Sequence, residues 1–106
     1  MFHTEIADRW NNFSIFEQMA NIGAEVGRIS SWKKKKNDQM SKNALFRALE
    51  LIDLTVNDAK NKNSLKELLR MREILVDYCL GENIYKSTEK EWEKYFYYFN
   101  FVARKV

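Results

Sequence analysis

Apolar residues recur three and four positions apart through most of this chain, the period of helices packed on one face. Ile15, Met19, Ile22, Val26 and Ile29 make one stripe, with Phe16, Ala20, Gly23 and Gly27 beside it. Ser14 followed by Glu17 predicts a capping box that starts this helix. Gly23 and Gly27 stack one turn apart on its packing face, each costing a helix roughly 1 kcal/mol, and together they predict a closely approaching backbone. Lys33 to Lys36, Asn37 and Asp38 end this helix or lead to the next, which spans about Gln39 to Thr55 with Asn37 or Asp38 as its cap. Met40, Ala44, Ala48, Leu51, Ile52 and Thr55, widened by Leu45 and Leu49, form its core face, and Phe46 and Leu54 fall outside it.

Val56 to Asn63 is polar, has no period and reads as a loop. Ser64 with Glu67 gives a second capping box, opening a helix that runs to Leu80. Gly81 stands where a left-handed cap belongs, with Ile84 returning onto the last turn. This helix confines its charges to a narrow wedge, Lys66, Arg70, Glu73 and Asp77, and is therefore predicted to be the most buried. Thr88 with Glu91 caps a last helix that is aromatic almost all round: Trp92, Tyr95, Phe96, Tyr97, Tyr98, Phe99 and Phe101. Ahead of the first box, Phe2, Ile6, Trp10 and Phe13 share helical spacing. The expectation is an all-α single domain, an antiparallel four-helix bundle with a short N-terminal helical arm over residues 1–13.

Composition supports this reading: there is no proline and there are only three glycines, so the punctuation that hairpins require is missing. No run of about 18 apolar residues exists to span a membrane. A lone Cys79 cannot form an internal disulfide, and the start lacks the apolar stretch of a signal peptide, so the expected location is cytoplasmic. The net charge of +3 is uneven. Arg28 to Arg72 carries 12 basic and 5 acidic residues, while the remainder is acidic on balance, which permits a polyanionic partner without requiring one.

Motifs for catalysis are scarce. A di-metal bundle needs paired Glu-x-x-His motifs, and His3 is the only histidine; zinc needs several Cys and His ligands. Cys79, on an apolar helix face, reads as a core thiol, and no glycine-rich turn cradles phosphate. No catalytic residue, metal or cofactor is expected. Three features carry candidate function. Arg72 falls near the centre of the face of Leu65, Leu68, Leu69, Val76 and Cys79, where a buried guanidinium needs a carboxylate, Glu50, Asp53 or Glu25. It is either a structural ion pair or, with Arg47, an inter-helix anion site. Trp32 followed by Lys33, Lys34, Lys35 and Lys36 reads as a solvated helix end that complements the dipole, or as a nucleic-acid contact in which the ring stacks a base. Finally, Phe46, Leu54, Tyr97 and Phe101 point away from the core faces of their helices, which suggests a second contact: the arm within one chain, a homodimer, or another protein.

The stretch Arg47-Ala48-Leu49-Glu50-Leu51-Ile52-Asp53-Leu54-Thr55, followed by Leu65 to Glu73, resembles a small family of prokaryotic helical proteins. The likeness continues through Asp77, Tyr78, Gly81, Asn83, Tyr85, Ser87 and Thr88 into the aromatic last helix. It implies a helical bundle and carries no activity with it. In size and helix count the chain is also similar to HEPN-type bundles that partner minimal nucleotidyltransferases. The ribonucleases among those have an Arg followed closely by His, a pair missing here. The function expected on these grounds is a non-enzymatic protein-protein interaction module, self-associating or docking another protein. The alternatives are a nucleic-acid-associated protein and a ligand binder at Arg72.

Overall fold

The computed structural model describes residues 4 to 105, with side chains from 7 to 104. Phe2, His3 and the side chain of Ile6 lie outside the described residues. Five α-helices follow in order: α1 Thr4–Trp10, α2 Ile15–Lys34, α3 Asp38–Val56, α4 Leu65–Leu80 and α5 Glu89–Lys105, with a 3₁₀ helix, Ala59–Ser64, leading into α4. No strand occurs among the described residues, and none of their helices is long and apolar enough to cross a membrane.

Local chemistry sets the helix ends. Ser14 accepts from the Glu17 amide while the Glu17 side chain accepts from the Ser14 amide, the reciprocal box that starts α2. Asn37 caps α3 by accepting from Met40 N at 3.1 Å. Between them Lys36 adopts φ 57°, and Asn37 N donates back to Trp32 O at 3.0 Å, so a left-handed turn closes α2 without a glycine.

The packing order differs from the expectation in one respect. The helix at the centre is α2, which lies against both α3 and α5, whereas α4 rests on α3 and the 3₁₀ helix, and the backbones of α4 and α5 stay largely apart. Only Leu68, Met71 and Leu75 of α4 are buried, and Leu65 and Leu69 stand in solvent, so α4 is peripheral. Met19, Ile22 and Ile29 of α2 meet Leu45, Ala48 and Ile52 of α3, and Trp92 and Phe96 close the core from α5. Leu54 corrects the sequence reading: at 5% exposure it belongs to this core. Its helix is covered on two sides, so a residue off the main stripe is still enclosed.

The glycines also differ from expectation. The Phe96 side chain, rather than a backbone, covers Gly23, while Gly27 is exposed with nothing near it. Gly81 has φ −96° and lies outside the left-handed region; Asn83 and Lys86 take φ 55° and 54° in its place. The Ile84 side chain does not pack on the last turn and is 74% exposed.

The stretch read as a loop is instead built around buried polar side chains. Gln18 Nε2 donates to Asp58 Oδ2 at 2.9 Å and to Trp10 O at 3.0 Å, and Gln18 Oε1 accepts from Asn61 Nδ2 at 2.8 Å. Asn61 also donates to Thr55 O, and Trp10 Nε1 donates to Thr55 Oγ1 at 2.9 Å. Gln18, Thr55, Asp58 and Asn61 are all buried, and their mutual satisfaction fastens the arm to α2, α3 and the 3₁₀ helix.

Candidate functional site

Helix α5 has two faces of different chemistry. Its inner face, Trp92, Phe96 and Phe99, packs on α2: Phe96 lies over Gly23, and the Phe99 ring is 6.3 Å from that of Phe16. At about 100° per residue, Lys90, Lys94, Tyr97, Tyr98, Phe101 and Arg104 fall together on the opposite side. All six are exposed, Tyr97 most of the rings at 70% and Tyr98 at 57%. Tyr98 leans its edge on Phe16 and Phe99, at 6.4 and 5.3 Å between ring centroids, and this fixes the ring while leaving one side in solvent.

Two of the acidic residues of α5 are drawn elsewhere. Glu89 pairs with Lys34 of α2 at 3.0 Å. Glu91 accepts from the Thr88 amide at 3.1 Å to complete the cap expected there. Glu93 adds its negative charge at Lys34, whose pKa is raised chiefly by the hydrogen bond to Glu89. None of the ion pairs between described residues includes Lys90, Lys94 or Arg104. The outer face is therefore a stripe of cations and rings whose cations are unpaired, with the exposed Glu93 at its Arg104 margin.

Beside this stripe, α4, α5 and the turn between them enclose an open groove of about 350 Å³, lined by Met71, Ile74, Tyr85, Trp92 and Tyr95 with Glu67, Arg70 and Glu91. Asp77 shapes the turn by accepting from Ile84 N and Tyr85 N, and Tyr85 donates its hydroxyl to Glu73 at 2.6 Å. Trp92 Nε1 and the Tyr95 hydroxyl are shut off from solvent without an acceptor at hydrogen-bonding geometry. Burial, and secondly the negative charge of Glu67, pushes the Tyr95 pKa up to about 12, so the phenol stays neutral.

The other sequence candidates disperse. Arg72 is half-exposed rather than central, and grips Asp53 through Nε at 2.8 Å and Nη2 at 3.4 Å. Arg47 belongs to a different cluster, where Glu25 holds both Arg47 and Arg28 at 3.2 and 2.9 Å. Glu50 is exposed and joins neither. The expected buried charge cluster is thus two surface ion pairs, Arg47 with Glu25 of α2 and Asp53 with Arg72 of α4, because Arg47 and Asp53 lie about 120° apart around α3 and face different neighbours. The lysine run also divides: Lys33 lies over the Tyr78 ring at 5.3 Å, Lys34 on Glu89, and Lys35 folds over Trp32 at 5.0 Å. Phe46 is exposed at 52%, as its place off the α3 core face suggests. Cys79 is partly buried, and burial pushes its thiol pKa up. Among the described residues no three His, Cys, Asp or Glu side chains gather as a metal ion would need.

Sequence reasoning passed over Lys90, Lys94 and Arg104. The available signal was the helical wheel of α5 with charges plotted beside the rings, which gathers these cations around Tyr97 and Phe101, with Glu91 and Glu93 at the two margins. Compared with family models, with curated proteins and with solved structures, the chain matches none.

Proposed function

We propose that this chain is a non-enzymatic docking module, an antiparallel four-helix bundle braced by its N-terminal arm, whose working surface is the outer face of α5. The observation that carries this reading is Tyr97, 70% exposed, and Tyr98, 57% exposed, set among cations that have no carboxylate partner. Large rings on a monomer surface cost solubility and are enriched where partners meet. A second copy is the commonest symmetric partner, and Phe46 on α3 offers it a further patch. The charge of α5 argues for a different occupant. Two such faces placed together would set lysine and arginine against lysine and arginine, whereas an anionic partner would neutralise them.

Retention on a heparin matrix tests this reading. The protein is expected to bind at low salt and elute as salt rises, and Lys94→Glu with Arg104→Glu should abolish retention at an unchanged melting temperature. A dimer by light scattering that Tyr97→Ala dissolves, with no heparin retention, would restore self-association as the use of this face.

A further inference from the structure

We infer that the outer face of α5 binds single-stranded nucleic acid, with Tyr97 and Tyr98 as stacking platforms and Lys90, Lys94 and Arg104 neutralising the flanking phosphates. This rests on the docking role of that face and names its partner. The first support is order along the helix. Two cations precede the rings and one follows, over about 21 Å from residue 90 to 104 at 1.5 Å per residue. A strand laid along this line meets charge, then flat surface, then charge, the alternation that sequence-tolerant single-strand sites use.

The second support is that helix stability does not account for the lysines. Lys90 is exposed in the first turn of α5, where the helix dipole favours acidic residues, and Lys94 sits one turn on, so like charges are stacked at i and i+4. Glu89 is held by Lys34 and Glu91 by Thr88, and the exposed Glu93 forms no ion pair with either lysine.

Other anionic surfaces fit less well. A helix lying in a membrane surface sinks an apolar wedge and holds its cations at the margins. Here Lys90 and Lys94 fall inside the stripe, on either side of its midline rather than at its margins, and the ring most exposed is a tyrosine with its polar end. Duplexes hide the faces of their bases, so Tyr97 and Tyr98 would have nothing to stack on. The Trp32 to Lys36 segment lacks the same freedom, since Lys34 is held by Glu89 and Lys35 covers the Trp32 ring.

Fluorescence anisotropy with a labelled oligothymidine of about 12 nucleotides, a length within known single-strand site sizes, tests the inference. Binding is expected to weaken with salt at a log-log slope near −2, from about 0.7 for each of the engaged cations. Tyr97→Ala should weaken it about 5- to 150-fold, the range of one lost base stack, and Lys94→Glu should flatten the salt slope. Both positions are exposed, and circular dichroism and melting should match the parent protein. Equal affinity for a duplex of the same length, or preference for phosphatidylserine vesicles, would overturn the single-strand assignment and leave α5 as a docking face. Oligothymidine binding that ignores the α5 variants and disappears when Lys33 to Lys36 become alanine would overturn both. No salt-sensitive binding at all, with dimerisation through Tyr97, would reject the nucleic acid alone.

Discussion

Phe96 is seated on Gly23 so closely that a Cβ there would lie 2.8 Å from both Phe96 Cβ and Cγ. Gly23→Ala should therefore cost about 1–3 kcal/mol by overpacking, despite alanine's better helix propensity. Gly27, one turn on with nothing within 4 Å, should instead gain up to about 1 kcal/mol as alanine. Opposite shifts in the urea midpoint check the pair, and shifts of the same sign would refute this account of α5 docking. The sequence presents the two glycines alike, because spacing says which side of a helix they share but not where a neighbour's ring comes down. Gln18 illustrates the same limit. It lies beside Met19 on the buried side, and its partners Asp58 and Asn61 are 40 and 43 residues away, beyond any local pattern. Gln18→Leu keeps the bulk and leaves Asp58, Asn61 and the Trp10 carbonyl each short of a partner. We expect a loss of about 2–4 kcal/mol in denaturant unfolding. A change below about 0.5 kcal/mol, the level of an ordinary surface substitution, would show the network to be dispensable.

Among the elements, helix starts were the most legible feature, and the one failure has a cause in the backbone. Ser14 carries the extended conformation, φ −67° and ψ 163°, that lets its hydroxyl reach forward to Glu17 N. Ser64, in the same Ser-x-x-Glu setting, ends a 3₁₀ helix with φ −105° and ψ 4°, and its side chain makes no capping bond. The motif needs a chain entering from outside a helix, which the residues themselves cannot announce. Burial of α4 was misjudged for a related reason: a wheel counts apolar residues, and the number of neighbouring helices decides how many are covered. For α5 the wheel contains more information than hydrophobicity alone extracts, since its charges sort by face. Lys90→Glu tests that sorting at the level of the helix. It removes a cation from the dipole's positive end and places a carboxylate one turn ahead of Lys94, the favourable order for an ion pair, so the melting point should rise by the equivalent of about 0.5–1 kcal/mol. Retention on heparin should fall at the same time. A rise in stability with undiminished retention would mean that the first turn of α5 lies outside the docking surface.

At the scale of the whole molecule, the N-terminal arm is held by Trp10, buried in the core, and by polar chemistry at one end of the helices. Asp58 is the charged member of that latch: it accepts from Gln18 Nε2, from the Lys60 amide at 3.1 Å and from Lys60 Nζ, and the same ammonium donates to Asn11 O at 3.0 Å. Burial by itself would raise the Asp58 pKa, but the bonds from Lys60 and Gln18 outweigh it and hold the value below the ordinary carboxylate range. Folding therefore favours the ionised form. The stabilisation it provides is complete above the unfolded pKa of about 4 and disappears as pH falls through the lower folded value. Thermal melts taken from neutral pH downward should show stability falling below about pH 4. The Asp58→Asn variant should start less stable, because it no longer pairs with Lys60, and should lose less on acidification. Hydrogen exchange at Trp10 Nε1, bonded to Thr55 Oγ1 at 2.9 Å, reports the arm directly. If that proton stays protected in acid after the remaining helices begin to open, Asp58 does not govern the arm. If it exchanges first, and in Asp58→Asn already exchanges readily at neutral pH, the arm is a separately opening unit whose attachment depends on one carboxylate, leaving the α5 surface intact while it is released.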